Sequence, residues 1–302
     1  MAVDGFSRGT PPGLAPGRGL TERLVELPGG RRLRAVVAGD ARGPLVVFEA
    51  GMSAPAAEWV HTQRQVSERA RTVSYDRAGY GGSDDATDDR SLEHLADDLA
   101  ALLDALDETE PVVLVGHSWG GPILRTFAHH HPQRVAGLVF VDATLAEVMS
   151  PTLARVNAAS FRVMSVLAMI GATRLIERMS FPRGISSEIS DDDRAILLRD
   201  YACSRAMRAG RREAAQIVAG LPLLRRLQAT GTPDVPTVCL QAGRVDRGMA
   251  KLRPLLNRTA ADLMTAAPQG KVVVVEDIGH LIPQEHPNVV RDTIFDLLAV
   301  TD

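Results

Sequence analysis

The stretch Pro111-Val112-Val113-Leu114-Val115-Gly116-His117-Ser118-Trp119-Gly120-Gly121 decides the fold. Its first five residues form an apolar run of strand length, and the residues after Gly121 read as a helix that ends near His129 to Pro132. A strand that turns at once into a helix holds the residue at the turn in a strained backbone, and Gly116 and Gly120 lack the Cβ atoms that would clash there. The residue placed at that turn is a serine. A serine hydroxyl is a poor nucleophile at neutral pH, so the reading requires a neighbouring base and preorganised donors for an oxyanion elsewhere in the chain.

Working outward, apolar strands alternate with helical segments on both sides of this stretch. Thr21 to Glu26, the turn Leu27-Pro28-Gly29-Gly30 and Arg31 to Ala38 predict an opening β-hairpin at a sheet edge. Pro44 to Ala50 is a compact apolar strand ending at Gly51, followed by a helix over Trp59 to Ala70 and a short strand, Thr72 to Tyr75. Leu92, Leu95, Leu99, Leu102, Leu103 and Leu106 recur at helical spacing, which predicts an amphipathic helix over Ser91 to Leu106. Val135 to Val141 is the next strand. From about Thr144 to Thr230 no strand is evident and Met- and Leu-containing helical segments take over, as in an inserted helical cap. Alternation resumes with the strand Val235 to Leu240, a helix over Met249 to Met264, the strand Lys271 to Glu276 and a helix over Pro287 to Leu298. Strands separated by helices call for parallel pairing, right-handed crossovers and helices on both faces. The expected organisation is a disordered Gly- and Pro-rich leader over residues 1–20, a core α/β domain in two parts, 21–143 and 233–302, and a helical cap over 144–232.

Four segments, each just after a strand, resemble the α/β-hydrolase superfamily in order: Glu49-Ala50-Gly51-Met52, Asp76-Arg77-Ala78-Gly79-Tyr80-Gly81, the serine turn, and Asp277-Ile278-Gly279-His280. The likeness covers Thr21 to Ala299 and is nearest to the cap-bearing esterase, haloperoxidase-like and prolyl-aminopeptidase-like branch. It implies the α/β-hydrolase fold, a mostly parallel eight-stranded sheet with helices on both faces and an inserted cap. One departure is visible, since that branch commonly has His-Gly where this chain has Ala50-Gly51. The resemblance implies Ser118 as nucleophile, His280 as base and the backbone N–H groups of Met52 and Trp119 as the oxyanion hole.

For the acid that orients the histidine, Asp246 is expected. It follows the strand Val235 to Leu240 through a glycine-containing loop and gives the chain order Ser, Asp, His that this fold uses. Asp142, directly after Val135 to Val141, is the rival. Asp76 reads as a structural acid bracing its glycine-rich loop, and His117 as a packing residue. The absence of Asp at the nucleophile position argues against dehalogenase or epoxide-hydrolase chemistry.

Composition sets outer limits. The formal net charge of −3 gives no electrostatic reason to expect nucleic acid, and the arginine pairs read as solvated faces. The two cysteines, Cys203 and Cys239, suggest neither a disulfide framework nor a zinc site, and fit reducing cytoplasm. No stretch is long enough to cross a bilayer, and Gly79-Tyr80-Gly81-Gly82 lacks the lysine of a phosphate-binding loop. No cofactor and no metal are expected. The sequence therefore predicts a cytoplasmic serine hydrolase acting through an acyl-enzyme on a small apolar ester or lactone. Proline-amide hydrolysis, carbon–carbon bond hydrolysis, peracid formation and acyl transfer by the same triad stay open, as does a non-catalytic binding protein on the same fold. Glu147, Glu177 and Glu188 are the cap acids that a proline-peptide substrate would call on.

Overall fold

A computed structural model describes residues 19–40, 43–85, 89–145 and 150–301. The expected leader lies outside the described residues except for Gly19 and Leu20. Eight strands form one sheet: β1 (Thr21–Glu26), β2 (Arg32–Ala38), β3 (Val46–Glu49), β4 (Thr72–Tyr75), β5 (Val112–His117), β6 (Val135–Val141), β7 (Thr237–Ala242) and β8 (Gly270–Val275). Their spatial order is β1-β2-β4-β3-β5-β6-β7-β8, with β2 antiparallel to both neighbours and every other adjacent pair parallel. This is the α/β-hydrolase fold that the sequence predicts. The helices packed on the sheet are α1 (Val60–Val66), α2 (Leu92–Ala105), α3 (Gly120–His130), α8 (Arg253–Ala266), the short α9 (Ile282–Glu285) and α10 (Pro287–Thr301). Between β6 and β7 the described chain forms four helices, α4 (Pro151–Met169), α5 (Thr173–Ser180), α6 (Asp191–Tyr201) and α7 (Ser204–Thr230). Among the described residues no helix is long and apolar enough to cross a membrane.

The central strands carry apolar residues on both faces because helices cover both. Val46, Val47, Phe48, Val113, Leu114 and Val115 are all fully buried. α2 starts where Ser91 accepts the N–H of His94 on its side chain, and its leucines at positions 92, 95, 99, 102 and 103 face inward. α8 begins later than the periodicity suggests, at Arg253 rather than Met249. Pro254 fixes that start: proline fits the first turn of a helix, where its missing N–H has no partner to lose, but would break one running on from Met249.

Parallel strands end on the same side of the sheet, so the residues that follow them meet there. His117 is paired with Val141 across β5 and β6, which makes Ser118 and Asp142 neighbours one residue beyond the sheet. Both have left-handed backbones, φ +50° and +41°. Cross-links hold them there: Ser118 donates its N–H to the Val141 carbonyl at 3.1 Å and accepts from Thr144 N–H at 3.1 Å, and Asp142 donates its N–H to the Leu240 carbonyl at 2.7 Å. The glycines of the turn are required by close approach. A Cβ on Gly116 would sit 2.7 Å from Leu124 Cδ1, and one on Gly120 2.5 Å from the Glu49 carbonyl oxygen.

A buried charge network joins the α4–α7 insertion to the sheet. Arg77 donates to the carbonyls of Ala50 and Gly51 at 2.7 and 2.8 Å, pairs with Glu49, and makes two 3.0 Å bonds to Glu213 on α7. Arg90 also binds Glu213 and donates to the Ala78 carbonyl at 2.6 Å. Asp76 braces its loop as expected, accepting from Arg34 Nε at 2.5 Å, Ala56 N–H at 2.7 Å and Gly82 N–H at 2.9 Å. Breaking one side of a buried ion pair leaves the other charge uncompensated. Arg77→Met, which strands Glu49 and weakens the hold on Glu213, is expected to cost about 3–5 kcal/mol of unfolding free energy, read by urea denaturation against wild type.

Candidate active site

Ser118 stands at the turn between β5 and α3, and His280 reaches it from the loop after β8. His280 Nε2 is 2.9 Å from Ser118 Oγ, within hydrogen-bond reach of a base and its nucleophile. On the other side of the ring, Nδ1 is 2.6 Å from Asp142 Oδ2. The expected partnership of Asp246 with the imidazole is thus corrected: Asp142 occupies that place. Asp246 lies four residues beyond β7 and takes the backbone N–H of His280 at 2.9 Å instead. The same carboxylate is held by Arg244 at 3.0 Å, and Arg244 also binds Glu285 at 2.8 and 2.9 Å. Gly279 has no room for a side chain because the Asp246 carboxylate packs against it. Asp246 therefore shapes the histidine loop without touching the ring.

Asp142 is wholly buried, and three elements converge on its carboxylate. Ala242 of β7 donates its N–H to Oδ1 at 3.1 Å, while Arg253 in the first turn of α8 grips both oxygens, with Nη2 at 2.7 Å from Oδ2. Burial pushes the pKa of this carboxyl up, but hydrogen bonds and charge from His280 and Arg253 outweigh it and hold Asp142 well below the ordinary carboxylate range. Arg253 was not legible in the sequence, since it lies 111 residues from its partner. The position of Asp142 was: it follows β6 as closely as Ser118 follows β5.

Ser118 and His280 open into a cavity of about 230 Å³ whose wall includes Met52, Trp119, Phe161, Phe181, Leu197 and Tyr201. The last four come from the α4–α7 insertion. Met52 and Trp119 line this cavity, and the backbone N–H of neither donates to a protein acceptor among the described residues. Ala50 in place of the expected histidine is buried, and its carbonyl is the group Arg77 holds. His117, expected to be a packing residue, is buried against Glu58 and also borders the cavity. Of the remaining histidines, His129 and His130 are exposed. Cys203 and Cys239 are both free.

Residues 44–180 match the family model described as the alpha/beta hydrolase fold. Epoxide hydrolase 3 of Xenopus tropicalis is 36% identical over 116 residues, 38% of this chain but only 31% of that protein's own length. Epoxide hydrolase A of Mycobacterium tuberculosis is 26% identical over 334 residues, covering 92% of this chain and 97% of its own. Among solved structures, a thermophilic esterase from Thermogutta terrifontis superimposes with a TM-score of 0.71 at 24% identity, covering 93% of this chain and 99% of that one, a likeness of fold. Over residues 44–180 the chain is similar to the α/β-hydrolase family, and its eight-stranded sheet has that fold.

The two aspartates make separable predictions. Losing the carboxylate at the imidazole removes both the hold on its tautomer and the charge facing it, a loss that approaches about four orders of magnitude in turnover in a serine triad. Asp142→Asn is expected to behave so and, by leaving Arg253 without its counter-charge, to melt at a lower temperature while still folding. Asp246→Asn, which keeps an acceptor for the His280 N–H, is expected to retain turnover within about tenfold of wild type. Ester hydrolysis with circular dichroism on both variants checks this, and the reverse ranking would return the role to Asp246.

Proposed function

We propose that the protein is a serine hydrolase that cleaves small, uncharged carboxylic esters or lactones through an acyl-enzyme. The observation that carries this reading is the continuous relay Asp142–His280–Ser118, with contacts of 2.6 and 2.9 Å, at the floor of a mostly apolar cavity. His280 takes the Ser118 proton as Oγ attacks the acyl carbon, and the free N–H groups of Met52 and Trp119 receive the oxyanion. His280 then returns the proton to the leaving alcohol. Water, deprotonated by the same imidazole, releases the acid. Asp142 keeps its negative charge throughout and holds the N–H of the ring toward itself.

Several alternatives fit less well. The epoxide hydrolases among the relatives invite comparison, but a serine that opened an epoxide would form an ether, which a later water cannot hydrolyse; an aspartate nucleophile forms an ester, which it can. An amino-terminal proline substrate needs an acid to receive its ammonium group. Glu147 lies outside the described residues, Glu177 is paired with Arg194 and Glu188 is exposed away from the cavity wall. Glu58, which does border the cavity, is paired with His117. The cavity, at about 230 Å³, is smaller than the roughly 300–1,000 Å³ of drug-sized ligand sites and suits a short acyl chain.

A fluorophosphonate probe is expected to label the wild type and leave Ser118→Ala unlabelled. Hydrolysis of 4-nitrophenyl esters is expected to rise with acyl length over the first few carbons, each buried methylene contributing up to about 0.8 kcal/mol, and then to fall at the limit of the cavity. Turnover above about one percent of wild type in Ser118→Ala would remove the serine from the mechanism. Labelling without turnover of any ester, lactone or amide would leave a binding protein as the better description.

A further inference from the structure

His117 is the residue directly before the proposed nucleophile, and only 3% of it is exposed. Its two ring nitrogens each meet an acceptor. Nδ1 lies 2.9 Å from Glu58 Oε1, and Nε2 lies 2.9 Å from the backbone carbonyl oxygen of His280. A neutral imidazole has one N–H and one lone pair, so either neutral tautomer would aim its lone pair at an oxygen in a buried site. Only the doubly protonated ring satisfies both contacts. Glu58 is correspondingly surrounded by donors: besides His117, its carboxylate accepts the Gly51 N–H at 2.9 Å and the Gln284 side-chain amide at 3.1 Å. Three donors on one carboxylate favour its charged form.

We infer that His117 is a protonated positioning residue whose imidazolium, through Glu58, ties the loop that begins at Gly51 to the backbone of His280. The inference rests on the serine-hydrolase reading for its effect on turnover, but not for the state of the ring. Gly51 precedes Met52, the proposed oxyanion donor, and the His280 carbonyl belongs to the residue that moves the proton. One buried cation therefore sets the spacing between the two halves of the site. The titratable groups facing it are Glu58 from the turn after β3, Asp142 at the end of β6 and His280 after β8, whose ring centroid is 5.0 Å away. Burial alone would push the pKa of His117 down, but the charge and hydrogen bond of Glu58 and the His280 carbonyl raise it; Glu58 is lowered in turn by His117. The sign follows. A raised histidine keeps the link intact below its raised value and loses it as pH climbs through that value, whereas a lowered glutamate extends the link further into the acid range. Loss of the His117 proton turns an attraction at the His280 carbonyl into a repulsion, and turnover falls on the alkaline side.

The test uses the full-length chain labelled with 15N in its histidines. At pH 7 both ring nitrogens of His117, identified by the signals missing in His117→Gln, are expected in the protonated range. The alkaline limb of kcat for 4-nitrophenyl acetate is expected to coincide with the His117 titration. In Glu58→Gln the ring loses its counter-charge, so titration and alkaline limb should move down together by about one to three pH units, with the fold checked by circular dichroism. If Glu58→Gln does not fold, the coincidence of the two curves in the wild type decides alone. A neutral ring at pH 7, or an alkaline limb that stays in place while the His117 titration moves or lies elsewhere, overturns the inference. Retained turnover in Ser118→Ala would defeat the functional reading but leave the ring's measured charge state standing.

Discussion

Asp142 carries its charge in the interior, and the arrangement of the site follows from how that charge is met. Taking an ion out of water costs several kcal/mol unless close, well-oriented partners replace the solvent. Here they come from three separate places: the Ala242 N–H at the end of β7, the Arg253 guanidinium at the start of α8, and the His280 ring from the loop after β8. Each must be in position for the others to be stable. The start of α8, fixed by Pro254, is thus tied to the site although it does not line the cavity at Ser118. The same convergence explains how a left-handed backbone at Asp142 persists, because its own N–H is anchored to β7 while its side chain is held from two further directions.

Much of this architecture was legible in the residues. The strand at Val135 to Val141 and the short one at Thr72 to Tyr75 fall where apolar patterning places them, and Ser91 and the leucine spacing mark α2 within a residue at each end. Ser118 and His280 were legible for the same reason: each follows a strand beside glycines that permit a turn. Asp246 was chosen because its loop carries a glycine, but loop composition does not say which way a carboxylate points. What would have decided correctly is register. His117 and Val141 are paired, so the residues just past them are brought together, whereas a residue four positions beyond β7 has room to turn toward the backbone of the histidine loop. The contacts His117–Glu58, His117–His280 and Arg253–Asp142 join residues 59 to 163 positions apart, and no local pattern reveals them.

The α4–α7 insertion is attached to the site by more than apolar contact. Arg77 holds the Ala50 and Gly51 carbonyls with one side of its guanidinium and Glu213 of α7 with the other. The loop that carries Met52 and α7, which packs along α4, therefore share a single buried cation. Movement of α7 away from the sheet would part Glu213 from both Arg77 and Arg90, which favours a fixed α7 over a freely moving one.

The proposed base, His280, follows β8, an edge strand of the sheet. β8 is the last strand, bonded on one side only, and none of its six residues is fully buried, whereas β5, which leads into Ser118, is buried throughout and paired on both sides. Outer strands fray at lower free energy than central ones. The proposed nucleophile and base thus belong to regions of unequal burial and pairing. Heat that loosens β8 would therefore part the proposed base from the proposed nucleophile before the central strands give way.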